Sequence, residues 1–135
     1  MNRFSKTSAW VIVCCCTAVH AAPFAYVANE RSSTVSIIDT ATDAVVRDIS
    51  VGKRPRGMTA SKDGRLLFVS DQPANALQVI DLGAREIVSK IDLAESPEGV
   101  YRSPDGVWLA VAVEEDNSVH FIAIGTGKRV FQVKT

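Results

Sequence analysis

The sequence predicts an all-β chain built from four-stranded antiparallel units. Three observations carry this: apolar residues that recur every 42 positions, tight-turn sequences at fixed places within each unit, and inter-unit connections too short to hold a helix. A shift of 42 aligns Tyr26-Val27-Ala28-Asn29 with Phe68-Val69-Ser70-Asp71, and then with Ala110-Val111-Ala112-Val113. The alignment needs no gap. Val35, Leu77 and Val119 coincide, as do Ile38, Ile80 and Ile122; Pro55 meets Pro97, Gly57 meets Gly99, and Asp63-Gly64 meets Asp105-Gly106.

Within one unit the punctuation defines the strands. In Ser103-Pro104-Asp105-Gly106 the proline presets φ, the aspartate bonds its own backbone and the glycine accepts positive φ, which makes a tight turn. The turn separates a short strand around Gly99 to Ser103 from a nearly all-apolar one, Trp108 to Val113, expected to be central and covered on both sides. An alternating strand such as Leu77 to Asp81 follows, then a turn such as Asp39-Thr40-Ala41-Thr42-Asp43. The fourth strand, Val45 to Val51 or Ile87 to Leu93, mixes polar residues as an outer edge does. Gly52-Lys53-Arg54-Pro55-Arg56-Gly57 links one unit to the next and is too short for a crossover, so the strands form a meander.

Repeats of about 40 residues with four strands each are the signature of β-propeller blades. An ordinary antiparallel sandwich would not keep a gapless register. The expected architecture is an incomplete ring of about three blades, with strands over 24–51, 56–93 and 98–135.

Residues 1–21 have the parts of a secretory signal: Arg3 and Lys6, an apolar stretch from Ala9 to Val19, and small residues near Ala21, after which cleavage is expected. An uncleaved anchor is the rival, but the stretch falls well short of the roughly 20 residues needed to span a bilayer. Lipid modification at Cys14, Cys15 or Cys16 is disfavoured by the bulk of Val13 before them. The mature chain, residues 22–135, would be periplasmic or secreted. All three cysteines lie in the segment to be removed, so it would carry no disulfide, attached haem or cysteine-ligated metal. The full chain has 15 basic and 15 acidic residues, and loss of Arg3 and Lys6 would leave it slightly acidic. That balance does not point to nucleic acid.

Tyr26-Val27-Ala28-Asn29, Thr34-Val35-Ser36-Ile37-Ile38-Asp39-Thr40-Ala41-Thr42, Val51-Gly52 and Ser103-Pro104-Asp105-Gly106 together resemble the YVTN-type β-propeller repeat, a WD40-like repeat, across residues 24–135. The junction Val51-Gly52-Lys53-Arg54-Pro55-Arg56-Gly57 is similar to that of propellers associated with PQQ-dependent alcohol catabolism in bacterial periplasms, which resemble in turn the haem d1 domain of cytochrome cd1 nitrite reductase. The resemblance implies an accessory role near quinoprotein oxidation, with a quinoprotein dehydrogenase as partner; it does not imply that this chain binds the quinone. Such propellers close rings, usually of seven blades. This chain has strands two to four of one blade and two complete blades, and an isolated arc would expose an apolar face at each end. The expectation is therefore the N-terminal part of a longer propeller, or assembly with another propeller fragment; a second copy would have no spare strand to complete the first blade.

Lys53, Arg54 and Arg56 form the one dense basic cluster. In a meander their loop shares a rim with Asn29-Glu30-Arg31, Asp71-Gln72 and Glu114-Glu115-Asp116, and the equivalent loop one blade on carries Glu95 and Glu98. One reading pairs Lys53 with Glu95 and Arg56 with Glu98, or leaves them solvated, contributing little. The functional reading is an anion or acidic-partner site, since arginines grip carboxylates bidentately. His120 aligns with Ser36 and Gln78 and is expected to be a surface or hydrogen-bonded histidine rather than a metal or haem ligand. No catalytic residue, cofactor or metal is expected, because no nucleophile set, phosphate loop or Cys-x-x-Cys-His occurs. Phe24, Tyr26, Phe68 and Trp108 fall on central strands, where core packing is expected. The function expected is thus a non-enzymatic binding or scaffold module. The alternative is a fragment of an enzyme-type propeller, haem d1-like or lactonase-like, with its site in other blades.

Overall fold

The computed structural model describes residues 24–93 and 96–135, and every regular element among them is a β-strand. The expected export signal lies outside the described residues, as does Glu95. Blade 1 holds β1 (Phe24–Asn29), β2 (Thr34–Asp39) and β3 (Ala44–Ser50). Blade 2 holds β4 (Met58–Ala60), β5 (Leu66–Asp71), β6 (Ala76–Asp81) and β7 (Glu86–Asp92). Blade 3 holds β8 (Pro97–Arg102), β9 (Trp108–Val113), β10 (Ser118–Ala123) and β11 (Lys128–Lys134). Each strand pairs antiparallel with the next in its own sheet, which is the meander of an incomplete β-propeller.

The 42-residue spacing extends to backbone details. Positive φ recurs at Ser33, Asn75 and Asn117, at Asp43, Arg85 and Gly127, at Arg54 and Ser96, and at Gly64 and Gly106. A bulge breaks the outermost pairing of every blade, between Ile37 and Ile38, Val79 and Ile80, and Phe121 and Ile122. It leaves Val46, Val88 and Val130 unpaired and exposed. A bulge increases local twist and spoils an outer strand as a template for further pairing.

The turns follow from their side chains. Gly64 N–H donates to the Ser61 carbonyl at 3.0 Å and Gly106 N–H to that of Ser103 at 2.9 Å. The Ser61 hydroxyl donates to Asp63, whose carboxylate also accepts from Arg65 N–H, and Ser103, Asp105 and Val107 repeat the pattern. Hydrogen bonds from the serine hydroxyl, then from the backbone, hold both aspartates below their ordinary value.

Strand alternation sends successive side chains to opposite faces, so each blade offers one apolar face to the blade before it and one to the blade after. Val35, Ile37 and Ile49 of blade 1 meet Leu67, Val69 and Ile80 of blade 2 in one core. Phe68, Leu77, Val79 and Ile91, on the other face of blade 2, meet Val100, Leu109, Val111 and Ile122 of blade 3 in the second. Phe24 and Tyr26 are half-buried against the first core and Phe68 is buried in the second. Trp108 joins neither core and stands edge-on to Phe131, with centroids 6.5 Å apart.

Trp108–Val113 is not covered on both sides as its composition led us to expect. Leu109, Val111 and Val113 are buried, while Ala112 is exposed and Trp108 and Ala110 are half-exposed. Among the described residues no other blade packs on that second face. Double coverage occurs instead on β5, which lies between two blades: Leu67 and Val69 face blade 1 and Phe68 faces blade 3.

Gly57 marks the same asymmetry. A Cβ there would lie 1.9 Å from the Glu98 carbonyl oxygen of blade 3, whereas at the equivalent Gly99 the nearest atom would be 3.2 Å away, on the Tyr101 ring. We expect Gly57→Ala to cost about 1–3 kcal/mol by forcing the blades apart, with Gly99→Ala markedly milder, as read by denaturant unfolding. Phe68→Ala should cost about 3–5 kcal/mol, the loss of a fully buried aromatic.

Candidate functional site

The linker from β3 to β4 runs across one rim, together with the loops after β1, β5, β7 and β9. Its course is fixed by two side chains of β5. The buried Ser70 hydroxyl accepts from Arg56 N–H at 3.0 Å and Gly57 N–H at 2.9 Å. Gly52 presses on Asp71, where any Cβ would lie 1.8 Å from its carboxylate. Arg54 takes φ 52°, a left-handed conformation repeated by Ser96 in the next linker, so this strain belongs to the linker path rather than to arginine.

This path brings the two arginines together and leaves Lys53 exposed beside them. Arg54 Nε and Arg56 Nη2 both donate to Glu30 Oε1 at 3.3 Å, and Arg56 Nη1 also donates to Glu98 Oε1. Glu30 lies after β1 and Glu98 in β8, so one charge network touches all three blades. Bonds from Arg54 and then Arg56 hold the Glu30 carboxyl below its ordinary value, and bonds to Glu30 and then Glu98 raise Arg56. All four side chains are partly exposed, so water screens the pairs. The expected pairing of Arg56 with Glu98 is present; Glu30, which bridges both arginines, is the partner that spacing alone did not single out.

Beside the network lies an open cleft of ≈ 350 Å³ lined by Arg54, Gln72, Pro73, Asn75, Ser96 and Glu115. Gln72 is buried; its amide donates to Ser96 Oγ at 2.7 Å, and its Oε1 has no hydrogen-bond partner. The cleft thus offers the Arg54 guanidinium to a polar ligand or an acidic side chain, while Gln72 Oε1 is closed off from solvent.

A model of the YNCE-like beta-propeller family matches residues 15–108, well over half of the chain. This protein belongs to that family. No curated protein matches it. Among solved structures it is similar to Kuenenia stuttgartiensis hydrazine synthase, with a TM-score of 0.76 and 24% identity over 82% of this chain and 32% of that one. It is also similar to the dihydro-heme d1 dehydrogenase NirN in complex with DHE, with a TM-score of 0.67 and 17% identity over 80% of this chain and 23% of that one. The chain therefore spans a third or less of the length of these structures, and at such identities the likeness is one of fold.

In this YNCE-like propeller the position shared by Ser36, Gln78 and His120 carries a hydrogen bond in every blade. Asn29 donates to Ser36 at 2.8 Å, Gln78 donates to Asp71 at 2.8 Å, and His120 Nε2 lies 3.1 Å from Asp116 Oδ2. Of the two readings for His120 the bonded one holds and the surface one does not, since the residue is 0% exposed. It lies between blades 2 and 3 because its strand position faces the preceding blade, as Gln78 does. Asp116 also accepts from Lys134 Nζ and Ser118 Oγ, both at 2.7 Å; these bonds and the one to His120 hold its carboxyl well below the aspartate range.

A carboxyl group depressed in the folded state stabilises the fold above its unfolded value, and that contribution drains as the pH falls from there towards the folded value. For Asp116 the loss begins near 3.8 and proceeds downward. Thermal unfolding should show the midpoint dropping below about pH 4, with Asp116→Asn lower than wild type at neutral pH and falling less steeply in acid. Parallel acid curves for the two proteins would contradict this account of Asp116.

Proposed function

We propose that this chain is a non-enzymatic propeller module of the periplasm that binds or scaffolds a protein partner, accessory to PQQ-dependent alcohol oxidation. The observation that carries the reading is the rim network of Arg54, Arg56, Glu30 and Glu98, which touches three blades and flanks an open cleft. Such a surface suits exchange of intramolecular ion pairs for a partner's carboxylates, a means of specificity and steering more than of raw affinity. The apolar stretch and basic start of residues 1–21 support export, and the resemblance of the Val51–Gly57 junction supports the quinoprotein setting.

The enzyme-type alternative draws on the fold likeness to two structures whose names are those of enzymes. A haem would need an accessible axial ligand. His120, the one histidine among the described residues, is fully buried and engaged by Asp116, so these residues do not fit a haem. A Soret band on adding haem to the apoprotein, lost in His120→Ala, would favour the alternative.

The direct test is binding of the full chain to a periplasmic quinoprotein alcohol dehydrogenase, measured by interferometry at two salt concentrations. We expect saturable binding that weakens with salt, reduced at least about tenfold by Arg54→Gly with Arg56→Gln, a loss of roughly 1.4 kcal/mol. Glycine suits the positive φ at residue 54 and so preserves the linker. Absence of binding, or substrate turnover by the propeller alone, would overturn the proposal.

A further inference from the structure

The rim cleft of ≈ 350 Å³ has a fixed polar floor and two charged lining residues of opposite sign. The floor is a closed run of hydrogen bonds. The Gln72 side-chain amide donates to Ser96 Oγ at 2.7 Å, Ser96 N–H donates to Asn75 Oδ1 at 3.1 Å, and Asn75 N–H donates back to the Gln72 carbonyl at 3.1 Å. Gln72 and Ser96 are buried, so these groups are spent on one another and set the shape of the cleft rather than its charge.

The charge comes from Arg54 and Glu115, which line the same cleft from different loops. Arg54 stands in the linker from β3 to β4, and Glu115 in the turn between β9 and β10. Arg54 is held from behind: its backbone takes φ 52° beside the buried Pro55, and its Nε donates to Glu30 at 3.3 Å. Among the described residues neither of its Nη atoms has a partner. A guanidinium fixed at Nε with its Nη edge open is set to grip a carboxylate with two parallel bonds. A simple anion placed there also meets Glu115, and a simple cation meets Arg54, so a ligand of one sign loses to one residue what it gains from the other. A ligand that carries both charges satisfies both residues. The volume suits a small molecule, being at the lower end of the roughly 300–1,000 Å³ of such sites.

From this pairing we infer that the cleft binds a small zwitterion of the amino-acid type, its carboxylate on Arg54 and its ammonium on Glu115. This goes beyond partner binding at the rim. Glu115 takes no part in the network of Arg56, Glu30 and Glu98, so the outcome is independent of whether a quinoprotein docks. Both charged residues are exposed, so water and salt screen the contacts and keep the affinity modest.

The test is calorimetric titration of the full chain at low salt with glycine, γ-aminobutyrate and ε-aminocaproate, and with butyrate and butylamine, which keep one charge each. At least one of the three amino acids should bind saturably and about tenfold or more tighter than either single-charge compound. The chain length that binds best reports the separation of the two charged groups. Glu115→Gln and Arg54→Gly should each weaken that binding by about tenfold while keeping the β-sheet circular dichroism. The comparison of ligands on wild type decides the matter even where a variant fails to fold. No saturable binding by any of the three, a single-charge compound that binds as tightly, or a folded Glu115→Gln or Arg54→Gly protein with unchanged affinity overturns the inference.

Discussion

Everything in this structure depends on the mutual burial of sheet faces. A four-stranded blade has two apolar faces and cannot shelter either from water by itself, so its stability comes from neighbours placed on both sides. Blade 2 has both neighbours, and its central strand is the most completely buried segment of the chain. Among the described residues blades 1 and 3 have one each, and Val27 of the one and Phe131 and Val133 of the other stand exposed. Burial here is a property of pairs of blades rather than of any single one.

That constraint also shapes the linkers. For the faces to meet, the chain must pass from the outer strand of one blade to the inner strand of the next in seven residues or fewer, tightly enough that Gly57 touches the Glu98 backbone. The path is held by Ser70 and by a left-handed residue at position 54 or 96. The arginines of the rim are positioned by this scaffold, and their ion pairs decorate a course that the backbone already takes. The charge network is accordingly better suited to recognition than to holding the fold together.

The outer strands meet a different demand. They mix apolar and charged residues, and each carries a bulge at the same place, which twists the edge away from further hydrogen bonding. The edges are thereby protected from pairing.

The repeat, the strand order and the blade architecture could be read directly from the sequence, because turn residues such as Asp63-Gly64 and the alternation of Val35, Ile37 and Ile49 act locally and recur at one spacing. The same spacing placed Lys53, Arg54 and Arg56 on a common rim with Glu30 and Glu98. It could not assign Glu30 to both arginines, bury His120 beneath Asp116, orphan the Gln72 oxygen, or uncover the second face of Trp108–Val113. Those outcomes depend on which blades stand next to one another and on where side chains from separate loops converge. Local sequence sets the pleat and the turn; contact between sheets is a relation across space, and only the assembled arc decides it.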